Sequence, residues 1–343
     1  MAEFDDFDDP YSRMVLDECA CFLCGEHMVD GKTEEHVFPK WLQQRHDLWD
    51  QRIVLLNRTR IPYRQLKVPC CHACNNEHLG RVENTVREAI DKGYHACLEL
   101  DPLIVFQWLG KMFYGILRKE LNLLADRRDS SKGNIVPVEM IEGYNNLHGF
   151  LQSVRRPFEF QPEPPFSVLV ANLHDLGGSS SYFFRDSTHL MTASLRTGGV
   201  GFIVAFEDCG FNRNTYGAYL DDVGGRKLHP IQFDELYAKV MFQVQRLNRT
   251  GRFLTVASAD GDQPTLIHTF PPTSEPLPWN QEAFSRYLAN VVGPWLRAWE
   301  IPEDSLFLPP DRVLSWMTNE DDSLNIIGAD DVFDAGDSNQ DSA

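Results

Sequence analysis

The sequence predicts an α+β protein in which a small cysteine-bearing module precedes a larger mixed domain. Three observations carry this. Two Cys-x-x-Cys pairs, Cys21/Cys24 and Cys71/Cys74, stand near the start of the chain. Apolar residues at 3- and 4-residue spacing mark helices at 75–90, 101–124, 233–247 and 280–300. Between them, β-rich runs at 166–174, 181–187 and 200–206 are punctuated by the turn signals Gly177-Gly178 and Gly198-Gly199.

Taken in order, residues 1–18 read as an acidic, flexible leader and residues 19–95 as the cysteine module. The turn-rich stretch 25–37 suits a hairpin. After the second knuckle, Leu79, Val82, Val86 and Ile90 recur on one helical face. The helix at 101–124 has Asp101 as its cap and Pro102 at the first helical position. It is apolar around nearly its whole circumference, which predicts burial, and Lys111 within it argues against a membrane span. "RFLTVAS" and "TLIHTF" flank "ADGDQP" as a hairpin. Pro294 should bend or break the last helix. Residues 96–318 thus form an α+β domain without a catalytic motif of its own, suited to sensing, partner docking or self-association. Residues 319–343 read as an acidic, disordered tail.

Composition narrows the function. A length of 343 residues allows two domains with cores, and 43% hydrophobic with 24% charged residues is globular. No run of 18 apolar residues occurs, so no membrane partner is expected. The start, "MAEFDDFDDP", lacks a basic region followed by an apolar one, so the expected compartment is the cytoplasm. The net charge of −18 argues against nucleic acid, but thirteen acids sit in 1–10 and 320–343. Within the body, 51–69 carries Arg52, Arg58, Arg60, Arg64 and Lys67 with no acid. That run is either a solvated loop or a phosphate-facing patch.

In a reducing compartment, two Cys-x-x-Cys pairs read as zinc before disulfide. Four thiolates from Cys21, Cys24, Cys71 and Cys74 would close a structural Zn2+ site. Cys70 competes with Cys71 but lacks the two-residue spacing to Cys74. The 46 residues between Cys24 and Cys71 must form a folded excursion, whose base the zinc would tie. The excursion holds "EEHVFPKWL". A phosphodiesterase needs a base for water and a hard cation for phosphate oxygens. His36 offers the base, with a ligand role at the zinc as the alternative. Glu35 offers a carboxylate to Mg2+ or Mn2+, with Glu34 as its rival. Asn75, directly after the last knuckle cysteine, offers a second hard ligand. Trp41 and Leu42 read as core.

Cys-x-x-Cys, "EHVFPKWL" and "CHACNN" ahead of a helix, in this order, resemble the HNH nucleases of the ββα-metal (His-Me finger) group. The narrower likeness is to bacterial proteins with Glu-His-x-x-Pro-x-Trp-Leu and Cys-x-x-Cys-Asn-Asn boxes. It covers roughly 19–90. The resemblance implies that Glu35 and Asn75 bind a single catalytic divalent ion and that His36 activates water. The family's bracing asparagine falls at Leu66 here, with Gln65 beside it as a substitute. His78, a helical turn beyond Asn75, is either a surface residue or a third ligand. Glu83 stands where the narrower group often has Glu. The implied activity is endonucleolytic cleavage of DNA, with RNA the other substrate. Fusion to such a second domain suggests the effector of an anti-phage defence or restriction system. The competing reading is a zinc-stabilised scaffold whose HNH unit does not cut.

Overall fold

A computed structural model describes residues 19–28, 32–247, 251–256, 263–272, 275–319, 321 and 323–331. The expected leader and most of the expected tail lie outside the described residues. The chain is mixed α+β, as the sequence predicts. β1 (Lys32–His36), α1 (Lys40–Arg45), β2 (Arg52–Val54), β3 (Arg60–Pro62) and β4 (Lys67–Cys71) come first. A π-helical stretch, Ala73–Leu79, then leads into α2 (Gly80–Lys92). Next come α3 (Tyr94–Leu98), α4 (Pro102–Leu121), α5 (Val138–Glu142), α6 (Asn145–Leu151) and β5 (Phe158–Gln161). They are followed by β6 (Ser167–Asn172), β7 (Tyr182–Ser187), β8 (Thr192–Thr197), β9 (Val200–Ala205), α7 (Phe211–Val223) and α8 (Pro230–Arg246). β10 (Arg252–Val256), β11 (Thr265–Phe270), α9 (Gln281–Ala298), β12 (Phe307–Leu308) and β13 (Arg312–Val313) complete the order.

Two compact units emerge, and they are cut differently from the sequence segments. The first gathers Met1–Lys92, Glu99–Pro165 and Arg252–Phe270; the second gathers Gly93–Leu98, Phe166–Gly251 and Pro271–Ala343. The break expected after residue 95 fails to separate α4 from the cysteine module because α4 supplies that module's core. Its apolar circumference is buried almost throughout. Gly115 lies so close to Val37 that an added Cβ would meet a Val37 methyl at 3.0 Å. Asp101 caps α4, accepting from the Leu103 amide at 2.9 Å.

In the first unit, β1 and β4 pair antiparallel, with Glu35 opposite Val68 and His36 opposite Lys67. The hairpin expected over 25–37 is therefore not the partnership of β1. Upstream, among the described residues, an Ala20–His27 bridge turns the first knuckle. The excursion between β1 and β4 holds α1 and the β2–β3 hairpin. β10 and β11 form the expected hairpin, with β5 added parallel to β11.

The second unit has an antiparallel sheet in the order β6-β9-β8-β7, with α8 and α9 in its core. Any side chain at Gly201 would collide with the ring of Phe233 on α8. Of the expected bend or break at Pro294, the break does not occur: α9 runs on through the proline. Proline cannot donate to the Asn290 carbonyl one turn back, but Nη1 of Arg185 does so at 3.1 Å.

Candidate functional site

The four knuckle cysteines converge. Sγ atoms of Cys21, Cys24, Cys71 and Cys74 all lie within 4.8 Å of one another, close enough to hold one metal ion. Backbone geometry explains how. The Gly25 amide returns to the Cys21 carbonyl at 2.9 Å, and the Phe22 amide joins the first knuckle to Pro69 of β4 at 2.9 Å. The Cys74 amide donates to Sγ of Cys71 at 3.5 Å, the usual turn of a ligand knuckle. Crowding splits the thiols. Hydrogen bonds from Cys24 and its neighbours drive Cys21 down, whereas hydrogen bonding to Cys21 holds Cys71 and Cys74 up. A dication among them would remove this conflict by favouring all four thiolates. Cys70, buried at 3.9 Å from Cys21, stays outside the quartet.

Beside this cluster, an open pocket of about 430 Å3 is lined by Glu34, Glu35, His36, Lys40, Trp41, Asn75, Glu83 and Arg87, among others. Antiparallel pairing with β4 fixes Glu35 and His36 at the end of β1. The π-helical widening carries Asn75, whose amide donates to Oγ1 of Thr33 at 2.9 Å and so bridges to β1. The pocket thus collects all three residues that the resemblance assigns to catalysis. It also collects Trp41, which the sequence places in the core; its ring stacks on Trp108 at 6.1 Å while bordering the pocket. Leu42 is buried as expected.

His36 is held in its neutral form. Burial, then Lys40, Lys67 and Lys111, push its pKa down to about 4. Its ring lies 5.9 Å from that of Trp49, and its Nε2 is buried with no partner among the described residues. Glu35 is 7% exposed and pairs with the ammonium of Lys111, which also reaches Oε1 of Glu83 at 2.6 Å and the His36 carbonyl at 2.7 Å. Burial pushes Glu35 up to about 7, with Lys111 opposing and Glu83 adding to the rise. Sequence reasoning missed this lysine's place. Its signal was present: a single charge inside a helix that is otherwise apolar all round needs a buried partner.

Two further candidates lie elsewhere. Gln65 is exposed in a short 3-10 turn and does not line the pocket. At the next residue, the Leu66 carbonyl accepts from the Val37 amide at 3.0 Å. His78 is half-buried near Arg155 and Arg81, away from the pocket lining. A π-helix winds more residues per turn than an α-helix, so the expected one-turn spacing to Asn75 fails. The basic run divides. Arg64 pairs with Asp50, and Lys67 with Glu34 at 3.2 Å. Arg52, Arg58 and Arg60 are exposed and make no ion pair among the described residues.

Donor chemistry separates the cysteine cluster from the pocket. Four soft thiols suit zinc. The pocket offers hard oxygens from Glu35 and Asn75, which suit Mg2+ or Mn2+, although Lys111 already takes one Glu35 oxygen. Among the described residues no helix is long and apolar enough to cross a membrane. Comparison with protein-family models, curated proteins and solved structures gave no match.

Proposed function

We propose that the chain is an HNH-type endonuclease hydrolysing nucleic-acid phosphodiesters, DNA first, with the four cysteines holding a structural zinc. One observation supports this above the others: Glu35, His36 and Asn75 line a single pocket on a strand pair followed by a helix. In this reading the neutral His36 imidazole takes a proton from the attacking water. Lys40 and Arg87, in the same wall, set positive charge beside the phosphate. Glu35 and Asn75 would hold the divalent ion, which when bound supplies charge for the phosphate oxygens. The second unit then serves as sensor, docking or self-association domain, as in an effector of a defence or restriction system.

The test is cleavage of plasmid DNA and of RNA with Mg2+ or Mn2+. His36→Ala should cut about 10²–10⁴-fold more slowly with zinc content and fold unchanged, the usual range for a lost general base. Cleavage by His36→Ala at the wild-type rate removes the assignment. No cleavage by the zinc-loaded wild type leaves the scaffold reading.

A further inference from the structure

Lys111 is 1% exposed in the middle of α4, and its three donors are fully used. Burial disfavours its charge, but the carboxylates of Glu35 and Glu83 outweigh that and hold it above its ordinary range. The result is one cation facing two carboxylates. Three donors meet two carboxylates and one carbonyl, so the lysine engages only one oxygen of each carboxylate. Both carboxylates meet Lys111 through a single oxygen, Oε1, and both border the pocket. The same wall contains His36, 8% exposed, whose Nε2 has no partner among the described residues. The second oxygen of each carboxylate and the unmatched ring nitrogen together suit a cation with its coordinated water on the pocket side.

We propose that Glu83 binds the pocket cation together with Glu35, and that Lys111 is the positioning residue that holds the two carboxylates as a pair from behind. The cation's use in cleavage rests on the nuclease reading, whereas its binding does not. Lys111 grips the His36 carbonyl as well, so one side chain sets both carboxylates and the main chain of the proposed base. Glu83 arrives from α2 and Glu35 from β1, so the cation would join the helix to the strand pair.

Zinc-loaded protein titrated with Mn2+ and followed by calorimetry tests this without any cleavage. Wild type should bind one Mn2+, and Glu83→Gln and Glu35→Gln should each weaken it about 10–100-fold, the scale on which such partners act. Lys111→Met supplies a signature that a purely structural ion pair would not. It should lower the melting temperature of the zinc-loaded protein, and Mn2+ should raise it by more than in wild type, because the dication then takes over the countercharge that Lys111 supplied. No Mn2+ binding by wild type, equal affinity in Glu83→Gln, or a folded Lys111→Met whose melting Mn2+ does not raise would each overturn the proposal. If Lys111→Met fails to fold, Glu83→Gln decides. Mn2+ binding by wild type that depends on both glutamates, with no cleavage of DNA or RNA, would sink the nuclease reading and leave this one standing.

Discussion

The two units bury charge to different ends. In the second, each buried acid closes on its own surroundings. Glu235 is fully buried and accepts from Oγ of Ser315 at 2.6 Å, the Trp316 amide at 2.6 Å, the Met317 amide at 3.1 Å and Lys239 at 2.9 Å. Asp208 accepts from Ser167, Gly210 and Asn212, fixing the start of α7. Every oxygen of these two carboxylates already accepts a hydrogen bond. In the first unit, Glu35 and Glu83 share one lysine, and His36 keeps a buried nitrogen unmatched. Burial of charge alone therefore does not mark a site; burial with unfilled valence beside a pocket does.

The largest break in this contrast comes from the cysteines. Cys74→Ser should unfold the first unit, since structural zinc in small domains is worth roughly 10–16 kcal/mol of apparent folding free energy. The second unit should keep its own unfolding transition. Elemental analysis should give one zinc per wild-type chain and none in the variant; zinc-free wild type would end the structural-zinc reading.

A smaller break targets the saturated acid. Glu235→Gln should destabilise the second unit by about 1.5–3 kcal/mol, the worth of hydrogen bonds to a charged group. Denaturant unfolding measures it. Cleavage and Mn2+ binding should not change, and a shift in either would show that the second unit's buried charges reach the chemistry.

Smaller still is a pH effect at His229, which is 2% exposed and caps α8. Its Nδ1 accepts from the Ile231 amide at 3.2 Å, and burial holds its pKa down to about 4. Below about pH 6.5 the unfolded chain takes a proton that the folded one refuses. Stability is thus fully present above pH 6.5, falls as pH drops toward 4, and then levels. After allowance for solvent screening the loss is about 1–2 kcal/mol. His229→Asn, which keeps a capping acceptor but does not titrate, should flatten that slope in the second unit's melting profile.

Legibility followed locality. The knuckles, the cap at Asp101 and the β10–β11 hairpin depend on residues a few positions apart, and the sequence shows them. Glu35, His36 and Asn75, which line one pocket, sit inside two short boxes that the sequence shows. What escaped was the partner from afar. Lys111 joins Glu35 across 76 positions, and no local pattern encodes that. β8 escaped because "TASLRT" is small and polar yet wholly buried in the sheet. Continuity of α9 through Pro294 depended on an arginine from β7.

The smallest predicted effect sharpens the contrast within the first unit. Sequence alone treats the five cations of 51–69 as equals, but the structure splits them. In the β2–β3 hairpin, Arg52 lies opposite Pro62 and Val54 opposite Arg60, so Arg52 and Arg60 share the face opposite to that of Ile53 and Ile61. Arg58 stands at the hairpin turn with φ 63°. These three arginines have no acid partner among the described residues and remain available to phosphate, whereas Arg64 and Lys67 are already neutralised by Asp50 and Glu34. Removing one phosphate-binding arginine should reduce the slope of log affinity against log salt by about 0.9 on duplex DNA. Arg52→Ala with Arg60→Ala should therefore weaken binding at low salt and flatten the slope by up to about 2, measured by fluorescence anisotropy on a labelled duplex. Arg64→Ala with Lys67→Ala removes two charges as well, yet frees two carboxylates, so its slope should stay near wild type. Equal slopes for both double variants would return the run to a uniform solvated surface. A larger change for Arg64 and Lys67 would put the nucleic acid against the segment around 64–67 instead of the hairpin.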